Sequence, residues 1–158
     1  MDAGEPSGLR PGHTSAIRRI EAGMLSYHAD MDLDTNPYEL GLGRFVDLGM
    51  ETEFIGKAAL RRIHAEGVRR QLIGLEISGP PLEGPNTRFW PLFAGGQEIG
   101  HVTSAVYSPR VDRNIALAMV AVDYASTGTR MHVFDADDSV TATVVDKPFI
   151  KPPELLTR

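Results

Sequence analysis

The sequence predicts an α+β fold, in which a short helical and loop front segment precedes an antiparallel six-stranded β-barrel. Three observations support this prediction. The chain has 158 residues, of which 42% are hydrophobic and 23% are charged, and these values are typical of a globular domain with its own core. Apolar residues recur with helical spacing before Gly67. After Gly67 the spacing changes to the alternation of β-strands, interrupted by turn residues.

The front segment begins with a predicted helix over residues 13–23. Thr14 or Ser15 can cap its N-terminus, because a hydroxyl oxygen can accept a hydrogen bond from the first free backbone N–H groups. Residues 24–43 are rich in turn residues and predict a loop. Residues 44–48 alternate polar and apolar side chains, which predicts a short strand.

A second helix is predicted over residues 54–67. Thr52 is its expected cap, and Gly67 is the expected stop. Four residues are expected to form one apolar stripe along it: Ile55, Ala59, Leu60 and Ile63.

The remainder of the chain predicts six short strands separated by turns that contain glycine, proline or aspartate. The predicted strands are 71–77, 89–93, 97–108, 114–122, 129–135 and 139–146. Residues 114–122 are apolar at almost every position, which indicates a strand buried on both faces. Even spacing of short strands favours a small closed barrel or sandwich, and we expect a compact antiparallel barrel over residues 68–152.

Charge and composition exclude several classes of function. The net charge is −5, and the arginine pairs form no basic stripe, which argues against nucleic acid as a partner. The chain has no cysteine, which excludes disulfides and thiolate metal sites. No apolar run approaches the length of a membrane span, and the N-terminus lacks the features of a signal peptide. We therefore expect a cytoplasmic protein with no membrane partner.

Metal and phosphate motifs are also absent from the sequence. Asp30, Asp32 and Asp34 have the spacing of a calcium loop, but such a loop needs glycine and glutamate where Thr35 and Gly41 stand. The five histidines show no zinc-ligand spacing, so no metal site is predicted. Residue chemistry alone indicates an α+β domain with a long ordered loop.

A series of motifs between about residues 13 and 152 resembles the glycine-cleavage T-protein (aminomethyltransferase) family. The motifs are Arg19-Ile20-Glu21-Ala22-Gly23, Leu25-Ser26-Tyr27, Asp30-Met31, Pro37-Tyr38-Glu39, Phe54-Ile55-Gly56-Lys57-Ala58-Ala59-Leu60, Gly100-His101-Val102-Thr103-Ser104, Tyr107-Ser108-Pro109, Asn114-Ile115-Ala116-Leu117-Ala118 and Lys147-Pro148-Phe149. The stretches at residues 36–39, 41–48 and 104–109 most resemble the dimethylsulfoniopropionate demethylase branch. Dimethylglycine- and sarcosine-oxidising enzymes share the Asn-Pro and Gly-Leu-Gly parts of this pattern and are the alternative branch. Ser15 departs from the family, which carries an arginine there, and this departure disfavours a glycine-cleavage enzyme proper.

The resemblance implies a division of the chain and a cofactor. Residues 1–67 would be the C-terminal tail of a folate-binding domain, and residues 68–158 would be the C-terminal barrel. Tetrahydrofolate is the implied cofactor, with a small-molecule methyl or aminomethyl donor. The catalytic residues are expected in an N-terminal half that this chain lacks. The chain alone is therefore expected to be inactive, and its expected partner is that domain, a companion chain or a second copy. The alternative interpretation is a non-catalytic barrel or assembly module.

Within the family, four residues are candidates for the folate or substrate pocket: Arg19, Glu21, Tyr27 and Asp30. For each of them, structural support of the domain seam is the alternative role. Residues 13–48 are further predicted to be the least stable part of the chain and a docking surface. The apolar side chains expected to face the missing domain are Ile17, Ile20, Met24, Leu25, Tyr27, Leu40 and Leu42.

Overall fold

The computed structural model describes residues 15–135 and 138–150. Two α-helices precede six strands, with one short 3₁₀ helix before α2 and another after β4. The elements are α1 (Ala16–Glu21), a 3₁₀ helix (Gly43–Phe45), α2 (Lys57–Glu66), β1 (Arg70–Ile77), β2 (Trp90–Ala94), β3 (Gln97–Ser108), β4 (Arg113–Ala121), a 3₁₀ helix (Val122–Tyr124), β5 (Arg130–Asp135) and β6 (Asp138–Val145). Among these described elements, neither helix is long and apolar enough to cross a bilayer.

The six strands form one closed antiparallel barrel, which confirms the predicted fold class. The strand order around the barrel is β1-β4-β3-β2-β5-β6. Every neighbouring pair is antiparallel, and closure leaves no unpaired sheet edge. The strands begin and end within about one residue of the predicted positions, since the alternating pattern and the turn residues are local signals.

The interior of the barrel is the first of two cores. Alternate residues along each strand point inward, so the apolar members of the alternation pack together. The fully or nearly buried interior residues include Leu75, Trp90, Leu92, Val102, Ala116, Ala118, Val120, Met131, Val133 and Val144. Trp90 is the only tryptophan in the chain and is therefore a specific fluorescence probe of this core.

The second core lies on the outer face of β1, β3 and β4, where the front segment covers the barrel. Ile20 from α1 and Leu40 from the following loop pack there against Leu72, Leu117 and Met119. This layer explains why β4 is apolar on both faces. It also shows that the predicted docking surface is wrong for Ile20 and Leu40. They are 1% and 6% exposed, because they already cover the chain's own barrel.

Of the remaining side chains of the predicted docking surface, some are partly buried in the second core and others are exposed to solvent. Leu25 and Leu42 are partly buried against the second core. Ile17, Met24 and Tyr27 are exposed. The front segment is therefore fastened to the barrel by one apolar face, while only part of it remains available to another molecule.

Helix α1 begins as the sequence predicts. Ser15 is its N-cap, and its Oγ accepts a hydrogen bond from the Arg18 backbone N–H at 3.4 Å. The chain then turns at Gly23, which has a φ of +66°, a conformation that glycine adopts without steric cost. Residues 13 and 14 of the predicted helix lie outside the described residues.

The segment between the two helices differs from the prediction. Residues 43–45 form a 3₁₀ turn rather than part of a strand, because they meet no partner strand. Helix α2 begins after Gly56, whose φ is +92°, and not after a Thr52 cap. Lys57 organises this turn instead. Its Nζ donates to the Met50 carbonyl at 2.5 Å and the Thr52 carbonyl at 3.1 Å, and it lies 3.2 Å from the Glu53 carboxylate.

The predicted apolar stripe of α2 is not buried against the described part of the chain. Ile55 precedes the helix and is fully exposed, Ala59 is exposed, and Leu60 and Ile63 are half-buried. No described strand packs extensively against α2. An amphipathic helix normally gains its stability from packing its apolar face. Among the described residues, this face is thus only partly covered.

Candidate functional site

A groove opens where the loop after α1 meets the start of β2. We call it the loop–barrel groove. It is lined by Tyr27, His28, Ala29, Asn86, Thr87, Arg88, Phe89 and Thr103. Its volume of about 460 Å³ lies within the range of small-molecule sites. Half-exposed rings at Tyr27 and Phe89 give it aromatic walls.

The loop side of the groove is held in place by the buried carboxylate of Asp30. Its Oδ2 accepts hydrogen bonds from Arg19 Nη1 at 2.7 Å and the Ser26 backbone N–H at 2.9 Å. Its Oδ1 accepts from Thr103 Oγ1 and Ser104 Oγ, each at 2.6 Å. Arg19 Nη2 also donates to Ser104 Oγ at 2.7 Å. We call these five residues the Asp30 network, and it joins α1, the loop and β3.

Glu21 makes a second connection between α1 and the barrel. Its buried carboxylate accepts a hydrogen bond from Ser108 Oγ at 2.5 Å, and Arg110 Nη1 lies 3.4 Å from its other oxygen. The Glu21 backbone carbonyl accepts from the Ile150 N–H. The side chains of Arg19 and Glu21 therefore connect α1 to β3 at two positions, Ser104 and Ser108. Glu21 also contacts the turn that follows β3.

The four predicted pocket residues consequently occupy different surroundings. Tyr27 lines the loop–barrel groove, and its ring lies 4.2 Å from the His28 ring. Asp30 borders a smaller inner cavity of about 170 Å³ that adjoins the groove. Arg19 and Glu21 border neither of these two cavities, and their side chains contact Asp30, Ser104, Ser108 and Arg110 instead.

Sequence reasoning missed the barrel side of the groove. Asn86 Oδ1 accepts from the Ala105 N–H at 2.7 Å, and its Nδ2 donates to the Arg88 carbonyl at 2.8 Å. These bonds hold the residues before β2 against β3. Phe89 stacks on His101 with ring centroids 4.8 Å apart. The sequence signal that could have indicated this side of the groove is Asn86 and Arg88 shortly before the aromatic Phe89 and Trp90. The pattern of residues there predicted only a turn and a strand.

The histidine beneath Phe89 is kept neutral by its surroundings. Burial lowers the pKa of His101 below its ordinary value, and the nearby Arg70 guanidinium lowers it further. In the unfolded chain the same imidazole binds a proton near pH 6.5. The unfolded state thus binds more protons than the folded state as the pH falls through that value.

We expect the free energy of unfolding to decrease as the pH is lowered from 7 to 5, partly through His101. His101→Gln should reduce this decrease, since glutamine does not titrate. Urea denaturation at several pH values measures it, with the exposed His132→Gln as the matched control. An unchanged pH dependence in His101→Gln would contradict the assignment.

The three aspartates of the loop do not converge on a common point. Asp30 faces Arg19, whereas Asp32 Oδ1 accepts from the Asp34 N–H at 3.0 Å and from Thr35 Oγ1 at 2.7 Å. Within residues 15–135 and 138–150, no cluster of three or more metal-ligating side chains is present. The alternate aspartates shape the turn.

The barrel, its covering front segment and the groove between them define a class of protein. A family model described as the glycine cleavage T-protein C-terminal barrel domain matches residues 70–151. A second model, described as the GCVT N-terminal domain, matches residues 1–50. The chain belongs to the glycine cleavage T-protein family, and the resemblance inferred from its motifs is confirmed.

Individual relatives are longer than this chain. An aminomethyltransferase of Synechococcus sp. is 40% identical over 150 residues, which are 95% of this chain and 40% of that protein. The dimethylsulfoniopropionate demethylase DmdA of Ruegeria pomeroyi is 39% identical over 144 residues, 90% of this chain and 38% of that protein. The chain therefore spans about 40% of the length of the curated relatives it matches.

A solved structure agrees with these relatives. The crystal structure of glycine cleavage system aminomethyltransferase T from Bartonella henselae superposes with a TM-score of 0.75 at 26% identity. The superposition covers 84% of this chain and 37% of that one.

Proposed function

We propose that this chain is the C-terminal part of a tetrahydrofolate-dependent methyl- or aminomethyl-transferase. The loop–barrel groove carries this proposal, because it is a cavity of small-molecule size at the junction of front segment and barrel, and Tyr27 and Thr103 in its lining belong to family motifs. Relatives named as an aminomethyltransferase and as a demethylase support a one-carbon transfer. A cytoplasmic location is part of the same proposal.

The lining of the groove suits a folate in chemical terms. The rings of Tyr27 and Phe89 offer apolar faces on which a fused heterocycle can stack. The guanidinium of Arg88 suits the carboxylates of a glutamate tail. Bound tetrahydrofolate would supply the N5 nitrogen that accepts the one-carbon unit. The groove is open on one side, so the rest of the pocket would come from another part of the protein.

In this proposal, the residues of this chain bind the folate and hold it in a fixed orientation. Tyr27, Arg88 and Phe89 contact the ligand, and the Asp30 network keeps the Tyr27 loop at a constant distance from β3. Orientation of this kind supplies much of the rate in a transfer between two bound reactants. Arg19, Glu21 and Asp30 are positioning residues.

The described residues offer one surface on which the other domain of the proposed enzyme would dock. Between residues 43 and 66, Phe45 is 70% exposed, Met50 is 44% exposed and Ile55 is fully exposed, and α2 lacks an extensive packing partner among the described elements. Exposed apolar area of this kind marks an interaction surface. We propose that residues 43–66 contact the N-terminal domain, whether it is joined covalently or supplied by a companion chain. A second copy of the chain is the other possible occupant.

The same surface favours a second candidate function. A barrel that only assembles with a folate enzyme and contributes no ligand contact would also expose α2. The two functions differ at the loop–barrel groove, because an assembly module needs the apolar surface but not Tyr27 or Arg88.

The test is a reconstitution with the full chain. We expect no turnover by the chain alone, with tetrahydrofolate and either dimethylsulfoniopropionate or an aminomethyl-carrier substrate, because the proposal assigns the catalytic residues to the part of the relatives that this chain does not span. Adding the N-terminal part of the Ruegeria or Synechococcus relative as a separate polypeptide should restore turnover with one donor and so identify it.

Two variants distinguish the candidate functions in this assay. Tyr27→Ala and Arg88→Ala should each lower kcat/KM by about tenfold, which corresponds to about 1.4 kcal/mol of lost contact. The exposed Arg69→Ala, outside the groove, is the matched control. Turnover by the chain alone would contradict the missing-half argument. If the polypeptides copurify and neither groove variant changes turnover or folate binding, the assembly module is the correct function.

A further inference from the structure

A second cavity lies at the opposite end of β3 and β4 from the loop–barrel groove. It has a volume of about 560 Å³ and is bordered by the ends of β1, β3 and β4 and by the outer faces of β5 and β6. Tyr107 on β3 borders this cavity, while Thr103, four residues earlier on the same strand, borders the loop–barrel groove. Four residues of extended strand separate the two sites by about 13 Å. We call this cavity the distal cleft.

The rim of the distal cleft is held by buried polar contacts. Asn114 is 4% exposed, its Oδ1 accepts from the Leu82 N–H at 2.9 Å, and its Nδ2 donates to the Pro80 carbonyl at 2.8 Å. Ser78 Oγ donates to the Thr141 carbonyl at 2.8 Å. These bonds keep the turn after β1 against β4 and β6, so the cleft is preformed.

A row of outward side chains from four neighbouring strands forms the floor. Arg113 of β4 pairs with Glu76 of β1. Glu76 stands opposite Thr143 of β6, and Thr143 stands opposite Arg130 of β5. Two strand spacings, about 9.5 Å, therefore separate the backbones of Glu76 and Arg130. Each of the four residues borders the cleft.

The charges of this row are not balanced along its length. Glu76 is paired with Arg113, and Asp112 accepts a hydrogen bond from Tyr107 Oη at 2.5 Å. Arg130 is exposed and makes no ion pair with any residue in the ranges 15–135 and 138–150. A guanidinium offers planar donors that match a carboxylate or phosphate, and the Thr143 hydroxyl lies directly beside it.

We propose that the distal cleft binds a small oxyanion-bearing molecule, with Arg130 as its main anchor and Thr143 as a neutral donor. Arg113 borders the other side, where Glu76 offsets its charge, so Arg130 is the guanidinium of the cleft that lacks a counter-ion among the described residues. The lining combines hydroxyl-bearing residues with apolar ones such as Ile77 and Pro81, so the anionic group of the ligand, rather than the polarity of the walls, is what the cleft recognises. This site is independent of the folate proposal.

The test is a titration of the full chain by ¹H–¹⁵N NMR at constant ionic strength. Inorganic phosphate and succinate are the probes, since they separate phosphate from carboxylate recognition. We expect saturable shifts at the amides of Ile77, Ser78, Thr141 and Thr143 with one of them, with a dissociation constant of about 1 mM or lower. Arg130→Gln should weaken binding by about tenfold or more.

Matched variants make the result decisive. Arg69→Gln removes an exposed arginine outside the cleft and should leave the titration unchanged. Arg130→Gln should leave tetrahydrofolate binding at the loop–barrel groove unchanged. The proposal is overturned if neither probe produces saturable shifts, if sodium chloride reproduces them, or if Arg130→Gln titrates like the original chain.

Discussion

Replacing Asp30 with alanine is expected to lower the free energy of unfolding by about 3–5 kcal/mol. The Asp30 side chain is fully buried, and its two oxygens accept four hydrogen bonds. The variant leaves the Arg19 guanidinium as a largely buried charge without its counter-ion. It also removes the acceptor of the Ser104 hydroxyl, whereas the Thr103 hydroxyl keeps the Leu117 carbonyl at 3.1 Å. Breaking a buried pair from one side costs more than removing an exposed pair.

Urea denaturation monitored by Trp90 fluorescence measures this loss. Asp30→Asn keeps the shape but removes the charge, and it should lose a smaller part of the same energy. The control is Asp32→Asn, two residues away, where the carboxylate is exposed and bonds only within its own turn. Its effect should remain within about 0.5 kcal/mol. Similar losses for Asp30→Ala and Asp32→Asn would show that the network does not hold the loop.

The second large effect is expected for Gly100→Ala, with a loss of about 3 kcal/mol or more. A Cβ at residue 100 would lie 2.1 Å from the Met119 carbonyl oxygen and 2.7 Å from the Val120 Cα. Both atoms belong to the backbone of β4, so they cannot turn aside as a flexible side chain can. Gly100 begins the family motif that continues through Thr103 and Ser104, and it allows β3 to approach β4 closely.

Gly84→Ala is the matched control for this prediction. A Cβ at residue 84 would meet no atom within 4 Å, and alanine there should change stability by no more than about 0.5 kcal/mol. The comparison separates the close approach of two strands from the general effect of removing a glycine. Equal losses in the two variants would refute the steric explanation.

The strands were predictable because their signals are local. A period of two and turn residues between the apolar runs specify where a strand begins and ends. The apolar composition of 114–122 predicted burial on both faces, and β4 indeed lies between the barrel interior and the layer under Ile20 and Leu40. Ser15 as the cap of α1 was predictable for the same reason.

The errors occurred where a residue's role depends on distant parts of the chain. Thr52 has the chemistry of a cap, but Lys57 reaches back to residues 50–53 and organises the turn. The apolar residues of 13–48 were expected to face a missing domain. Ile20 and Leu40 instead cover the barrel, because β1, β3 and β4 also present an apolar outer face.

By itself, the sequence determined the barrel, its strands, the existence of α1 and the family, since these depend on periodicity, turn chemistry and ordered motifs. Only the tertiary structure decided which candidate residues border a cavity. Tyr27 and Arg88 are 61 positions apart and meet because barrel closure brings the start of β2 beside the Asp30 loop. The spacing of residues along a chain does not predict such a contact, because the contact forms only when the loops close and the core is buried.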